Sequence, residues 1–326
     1  MNLSIEHGAD IIIHQWCGLK SHEKLLIISD ENHLTESMAL WKAARAGGAF
    51  AMMITIPENC SQPGHLFDSM SELFSEHHVI IGATRFSLIT TRAVQKVLSL
   101  NSRFLSLPLC TNRKCSMLEL PFLTMDPHLA ERLSRNMMMQ LNLCENIHIT
   151  TALGTDLTFR KRGRTPGLFN GMAETPGKIG SSSFEIYIGI EETFTEGHAV
   201  VDGSLGYLGC PCEPISLTFH QGKLTEIEQN PSGIRLKQYM EQFHDPRIFT
   251  AGELGIGLNQ KARCDGNCYI EDESAYGTFH IGMGRNLALG GVHDANGHFD
   301  LVFHQPTIYA DDVLIMKDGN ALLSSY

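Results

Sequence analysis

The sequence has no excess of basic residues, no long apolar run and no dinucleotide fingerprint. Lys and Arg number 25 against 36 Asp and Glu, a formal net charge of −11. Nucleic-acid and anionic-membrane partners usually meet a basic patch, so this balance argues against both. No stretch approaches the roughly 18 apolar residues of a membrane span. The opening MNLSIEHGADIIIHQWCGLK has no basic region, and its apolar run is too short and interrupted for a signal peptide, which points to the cytoplasm. No G-x-G-x-x-G follows the first expected strand, so a Rossmann cofactor site lacks support. Nine cysteines, an odd number, suit reduced thiols better than a disulfide framework. Cys210-Pro-Cys212 and Cys264-x-x-x-Cys268 do not form the matched pairs of a structural zinc site, and they read as ordinary thiols.

What is present fits a globular chain of 326 residues, 43% of them hydrophobic, long enough for two domains. In the first half, short apolar runs alternate with helical patterns. KLLIISD, AFAMMITIP, HVIIGAT and RFLSLPL read as buried strands. HLTESMALWKAARAG, HLFDSMSELFSEH, TRAVQKVLSLN and DPHLAERLSRNMMMQLNLCEN read as helices. That alternation predicts an α/β fold with a doubly wound parallel sheet over residues 1–145. From Asn146 the chain turns to glycine, threonine and short alternating runs, which predicts a β-rich α+β domain over 146–326. HQGK reads as a hairpin turn, and PSGIRLKQYMEQF as a helix.

The chemistry lies in the second half. Glu185 stands in SSSFEIYIGIEE, Glu253 between glycines in TAGELGIGLN, His280 in GTFHIGMGRN, and His298 and Asp300 in GHFDLVFH. Ionised carboxylates in apolar strands are costly unless paired or bound to metal. His298 and Asp300, two residues apart on a strand, share a face. Together the five suit a two-ion divalent site, with glycines giving close backbone approach or positive φ. Taken singly, each has a plainer reading: a solvent-facing Glu185, a strand-capping Glu253, a core His280, or a hydrogen-bonded His298–Asp300 pair. Glu273 and His304 are candidates for supporting these groups. YIEDES otherwise reads as a solvated acidic loop, and RKRGR (Arg160 to Arg164) as a solvated loop or a receiver of an acidic substrate group.

The run GELGIGLN…EDESAYGTFHIGMGRN…GHFD, followed by PTIYADD, resembles the aminopeptidase T family of metallopeptidases, especially its short leucyl aminopeptidase-like branch. The resemblance covers the second half well, and the first half only in pattern and length. It implies two divalent ions (Zn, Co or Mn) held by Glu185, Glu253, His280, His298 and Asp300, with Glu253 also catalytic. It further implies a small peptide or amide substrate and a homodimer or larger homo-oligomer. The family's tyrosine after the G-T-x-H histidine is replaced by Leu287, and Tyr276 and Tyr309 are its nearest neighbours in sequence.

The same stretches resemble the 2,5-dihydroxypyridine dioxygenases, which use one iron held by two histidines and a carboxylate. In that branch the Glu253 position is a histidine, and the Glu185 and His280 positions are apolar. The ligand types therefore point to an amide hydrolase, with a mononuclear Fe(II) dioxygenase and a non-catalytic metal-binding relative as the alternatives.

Overall fold

The computed structural model describes residues 2–57, 62, 64–97 and 99–322. The largely apolar runs of the first half form the expected parallel sheet. Lys24–Asp30 pairs with Phe50–Ile56 on one side and Val79–Thr84 on the other, and Arg103–Pro108 follows. The first strand is thus flanked by the second and third, the order in which a doubly wound sheet changes direction. Helices cover both faces, with Leu34–Ala46 and Pro127–Leu143 on one core and Arg92–Val97 on the other. The residue 146 boundary is crossed by one strand, since Ile179–Ser181 adds in parallel to Arg103–Pro108 as the fifth member.

One expected helix is broken. HLFDSMSELFSEH forms a helix over Gly64–Ser69 and then a 3₁₀ segment over Ser71–Glu76, which buries Phe67 and Phe74 against the sheet. Cys60 lies outside the described residues. The other eight cysteines are free thiols. Among the described residues no helix is long and apolar enough to cross a membrane.

The second half builds two antiparallel sheets, of eight and five strands. The predicted hairpin closes through Gln221 (φ 50°) and Gly222 (φ 78°) between Ile215–His220 and Lys223–Ile227. Two positive φ values are what a two-residue turn of matching twist needs. The five-stranded sheet runs His298–His304, Thr278–Gly284, Ala251–Gly257, Phe184–Gly189, Gly167–Asn170. One of its faces, with Ile186, Ile188, Leu254, Ile256, Phe279, Ile281, Phe299, Leu301 and Phe303, belongs to the main core. The opposite face carries the charged groups.

Candidate metal centre

Strand register brings the five candidate ligands to one face. Glu253 lies opposite Gly282 and Gly189, and His280 opposite Gly255. Asp300 lies opposite Gly282, His298 opposite Gly284, and Glu185 opposite Gly257. Every ligand therefore has a glycine as a cross-strand neighbour, where an ordinary side chain would fill the space. A Cβ at Gly255 would lie 1.9 Å from His280 Nε2, and one at Gly282 would lie 2.7 Å from both Glu253 Cβ and His298 Cε1. These glycines make room for the candidate ligand side chains, and Gly284 also takes the expected positive φ, at 92°.

The donors form two groups that share Glu253. One is Glu185, Glu253 and His280; the other is Glu253, His298 and Asp300. Within each, the ligand atoms lie within 4.8 Å of one another, and all five residues are buried. His298 Nε2 is 3.3 Å from Glu253 Oε2 and 3.4 Å from Asp300 Oδ1. His280 Nε2 is 2.8 Å from Glu185 Oε2, and Ser183 Oγ donates to Glu185 Oε1 at 2.6 Å. Tyr269 donates its hydroxyl to Asp300 Oδ2 and stacks on Tyr207 at 3.9 Å.

Burial pushes the Glu253 carboxyl up to about 7, against the pull of His298. Burial alone would lower His280, but the Glu185 charge outweighs it and brings the imidazole up to about 9. His298 likewise rises well above the usual histidine range, burial being overcome chiefly by Asp300. For Asp300 burial acts upward, yet the His298 charge holds it well below the usual carboxylate range. Glu273, beside Asp300, is raised well above its ordinary value by burial and then by the Asp300 charge.

The supporting candidates divide. Glu273 lines the same cavity as the five ligands. His304 does not join them. It sits opposite Thr278, four residues beyond Asp300 or roughly 13 Å along the strand, and its amide donates to Asp202 Oδ1. YIEDES is not a solvated loop but a buried helix, Tyr269–Ser274. Two of its carboxylates are held by backbone donors, Arg263 N to Glu271 and the amides of Asp265 and Gly266 to Asp272. RKRGR is committed to acid partners of its own chain, with Arg160 on Glu191 at 2.5 Å and Arg164 on Glu192 at 2.8 Å. Neither Tyr276 nor Tyr309 replaces the missing tyrosine, since neither lines the cavity, and the Tyr276 hydroxyl accepts from Ala321 N.

The cavity over the ligands has a volume of about 20 Å³. Its far wall is Ser87 and Ile89, which follow strand Val79–Thr84, and Ser181, which ends the fifth parallel strand. The carboxyl ends of the parallel strands thus face the metal-ligand sheet, the usual place for a site in an open α/β sheet. Ile89, Phe169 and Leu289 form a separate apolar cluster at this cavity. Sequence reading missed Ser87, Ile89, Phe169, Ser181, Tyr269 and Leu289. Only Ser181 and Tyr269 lie close in sequence to a flagged group.

A sequence model of 2,5-dihydroxypyridine 5,6-dioxygenases matches residues 13–322. The chain belongs to this family. It is 26% identical over 197 residues to the 2,5-dihydroxypyridine 5,6-dioxygenase of Pseudomonas putida KT2440, a match spanning 56% of this chain and 55% of that protein. The solved 2,5-dihydroxypyridine dioxygenase from the same strain superposes with a TM-score of 0.78 at 18% identity, over 99% of both chains. AmpT from Thermus thermophilus superposes at 0.67 and 14% identity, over 98% of both. These two structural likenesses concern the fold.

Family membership overturns the expected amide hydrolase, with its zinc-type chemistry. The aminopeptidase likeness reduces to a shared fold with AmpT. The iron that the family implies can be tested against the donors. Each group supplies one imidazole and two carboxylates, where the usual oxygenase triad has two imidazoles and one carboxylate. Glu253 stands where the resemblance implied histidine. The donors are nonetheless all nitrogen and oxygen. Asp300 Oδ1, in the second group, is buried without a hydrogen-bond partner, with His298 Nε2 3.4 Å away, which is costly for a carboxylate oxygen unless an ion engages it. The residues fit a first-row divalent ion.

Proposed function

We propose that this chain is a metal-dependent dioxygenase that opens a hydroxylated nitrogen-heteroaromatic ring. The observation that carries the reading is the family match across residues 13–322, which contains every one of the buried donors. In this reading Glu253, His298 and Asp300 would hold one iron(II). Iron(II), when bound, supplies the redox chemistry and open coordination positions used by non-haem oxygenases.

The chain's own groups do the rest. Tyr269 and the Arg285 carbonyl fix the orientations of Asp300 and His298. The Glu185–His280 pair carries a proton that it gives or takes at the unpartnered Nδ1 of His280. Ser87 and Ser181 offer hydroxyls to polar ring atoms from the opposite wall, while Ile89, Phe169 and Leu289 meet the apolar part of the ring. A cavity of about 20 Å³ holds a water rather than a ring, so these three side chains move aside to admit substrate.

The Pseudomonas putida relative is a 2,5-dihydroxypyridine 5,6-dioxygenase, and the same ring and ring carbons are the reading's first candidates for this chain. The test is an oxygen electrode run with iron(II)-loaded protein and 2,5-dihydroxypyridine. Equimolar loss of oxygen and of ring absorbance is expected. No uptake across a panel of hydroxylated pyridines would contradict the reading.

A further inference from the structure

His298–His304 is an edge strand, so its outer backbone groups need partners from outside the sheet. At His298 the partner is one side chain from the other half of the chain. Gln62 Oε1 accepts from His298 N at 2.8 Å, and Gln62 Nε2 donates to His298 O at 2.5 Å. The side-chain amide thus takes the place of a neighbouring strand's peptide group. The His298 ring is fixed separately, with Nδ1 donating to the Arg285 carbonyl at 2.8 Å, which turns Nε2 toward Glu253 and Asp300.

Arg285 also meets residues of the first half of the chain. Its guanidinium is buried, and its Nε donates to Ala295 O at 2.7 Å and lies 3.2 Å from Asp294. Its Nη1 lies 3.6 Å from Asp68, and a Cβ at Gly64 would be 2.7 Å from that atom. Gln62, Gly64 and Asp68 therefore grip both the backbone of His298 and the residue that orients its ring.

We infer that Gln62 is a positioning residue for the metal ligand His298, and that its contacts, together with that of Asp68 to Arg285, complete the metal centre. The inference rests on the metal reading above. It gives the parallel-sheet half a role in assembling the site, beyond lining it. Groups that orient a metal-binding histidine typically change metal affinity ten- to a hundred-fold when removed.

The test is a titration of metal-free protein with Co(II), followed by its visible absorption, in wild type, Gln62→Met and Gln62→Glu. The methionine keeps the volume and removes both bonds; the glutamate keeps only the acceptor. A ten- to hundred-fold weaker affinity and a shifted band are expected for Gln62→Met, with an intermediate loss for Gln62→Glu and a metal-free melting temperature near wild type. Wild-type affinity and spectrum in both variants would overturn the role of Gln62 while leaving the metal reading intact. Failure of wild type itself to take up Co(II) would overturn the metal reading and the inference with it. If Gln62→Met does not fold, Gln62→Glu alone decides.

Discussion

Gly255 lies directly across the ladder from His280, so close that a single added methyl carbon would come within 1.9 Å of the imidazole Nε2. The ligand side chain occupies the space that any other residue at 255 would fill. Gly255→Ala is therefore expected to displace His280 from Glu185 and lower turnover at least a hundred-fold. Overpacking should cost about 1–3 kcal/mol of stability. Steady-state kinetics beside a denaturant melt would check both, and an alanine variant with wild-type turnover would show that His280 is not needed where it stands.

Tyr269→Phe removes the hydroxyl that Asp300 accepts from and keeps the ring that stacks on Tyr207. Metal affinity is expected to fall ten- to a hundred-fold with little change in the fold. Competition against a chromophoric chelator would measure it.

The helix that was read as solvated makes a pH-dependent contribution to stability. Burial pushes Glu271 up to about 7 from an ordinary 4.5. Between those values the unfolded chain is ionised there while the folded chain holds its proton. Folding is then favoured in acid, and this contribution is lost as pH rises toward 7. Glu271→Gln, which keeps an acceptor for Arg263 N, is expected to stabilise the protein by about 2 kcal/mol at pH 8 and to have little effect near pH 4. Urea midpoints at the two pH values provide the measurement; a gain larger at pH 4 than at pH 8 would be the wrong sign.

Leu289 closes the cavity together with Ile89 and Phe169. Leu289→Ala should widen the entrance at a cost of about 2–3 kcal/mol in stability. The expected result is faster metal loading and better relative turnover of rings with bulky substituents, read as kcat/KM ratios. An unchanged substrate range would remove this trio from the access route.

Much of the scaffold was legible because burial on both faces leaves a simple mark. KLLIISD and HVIIGAT each carry an unbroken apolar core, Leu25–Ile28 and Val79–Ile81, and both form central strands. That five candidate residues could converge was legible for the converse reason, since they are titratable groups inside otherwise apolar runs. Gln62 was not, since its partner is 236 residues away and nothing local marks it. YIEDES reads as solvated because acids usually face water; here amides of the turn just before the helix, at Asp265 and Gly266, hold Asp272 inside. The reaction class was misread for a deeper reason. Donor types report which ions a site can hold, while the chemistry also depends on open positions, cavity shape and the opposing wall. Ser87 and Ile89 belong to that wall, and no motif announced them.

The central claim is that the buried face around Glu253, His298 and Asp300 is a metal centre serving oxygen chemistry. Metal content per chain, measured by elemental analysis on protein prepared without chelators, tests it most directly. One equivalent of iron is expected in wild type, falling to a small fraction in His298→Ala and Asp300→Asn with the fold retained. Absence of any bound metal in wild type, even after anaerobic reconstitution with iron(II), would contradict the account.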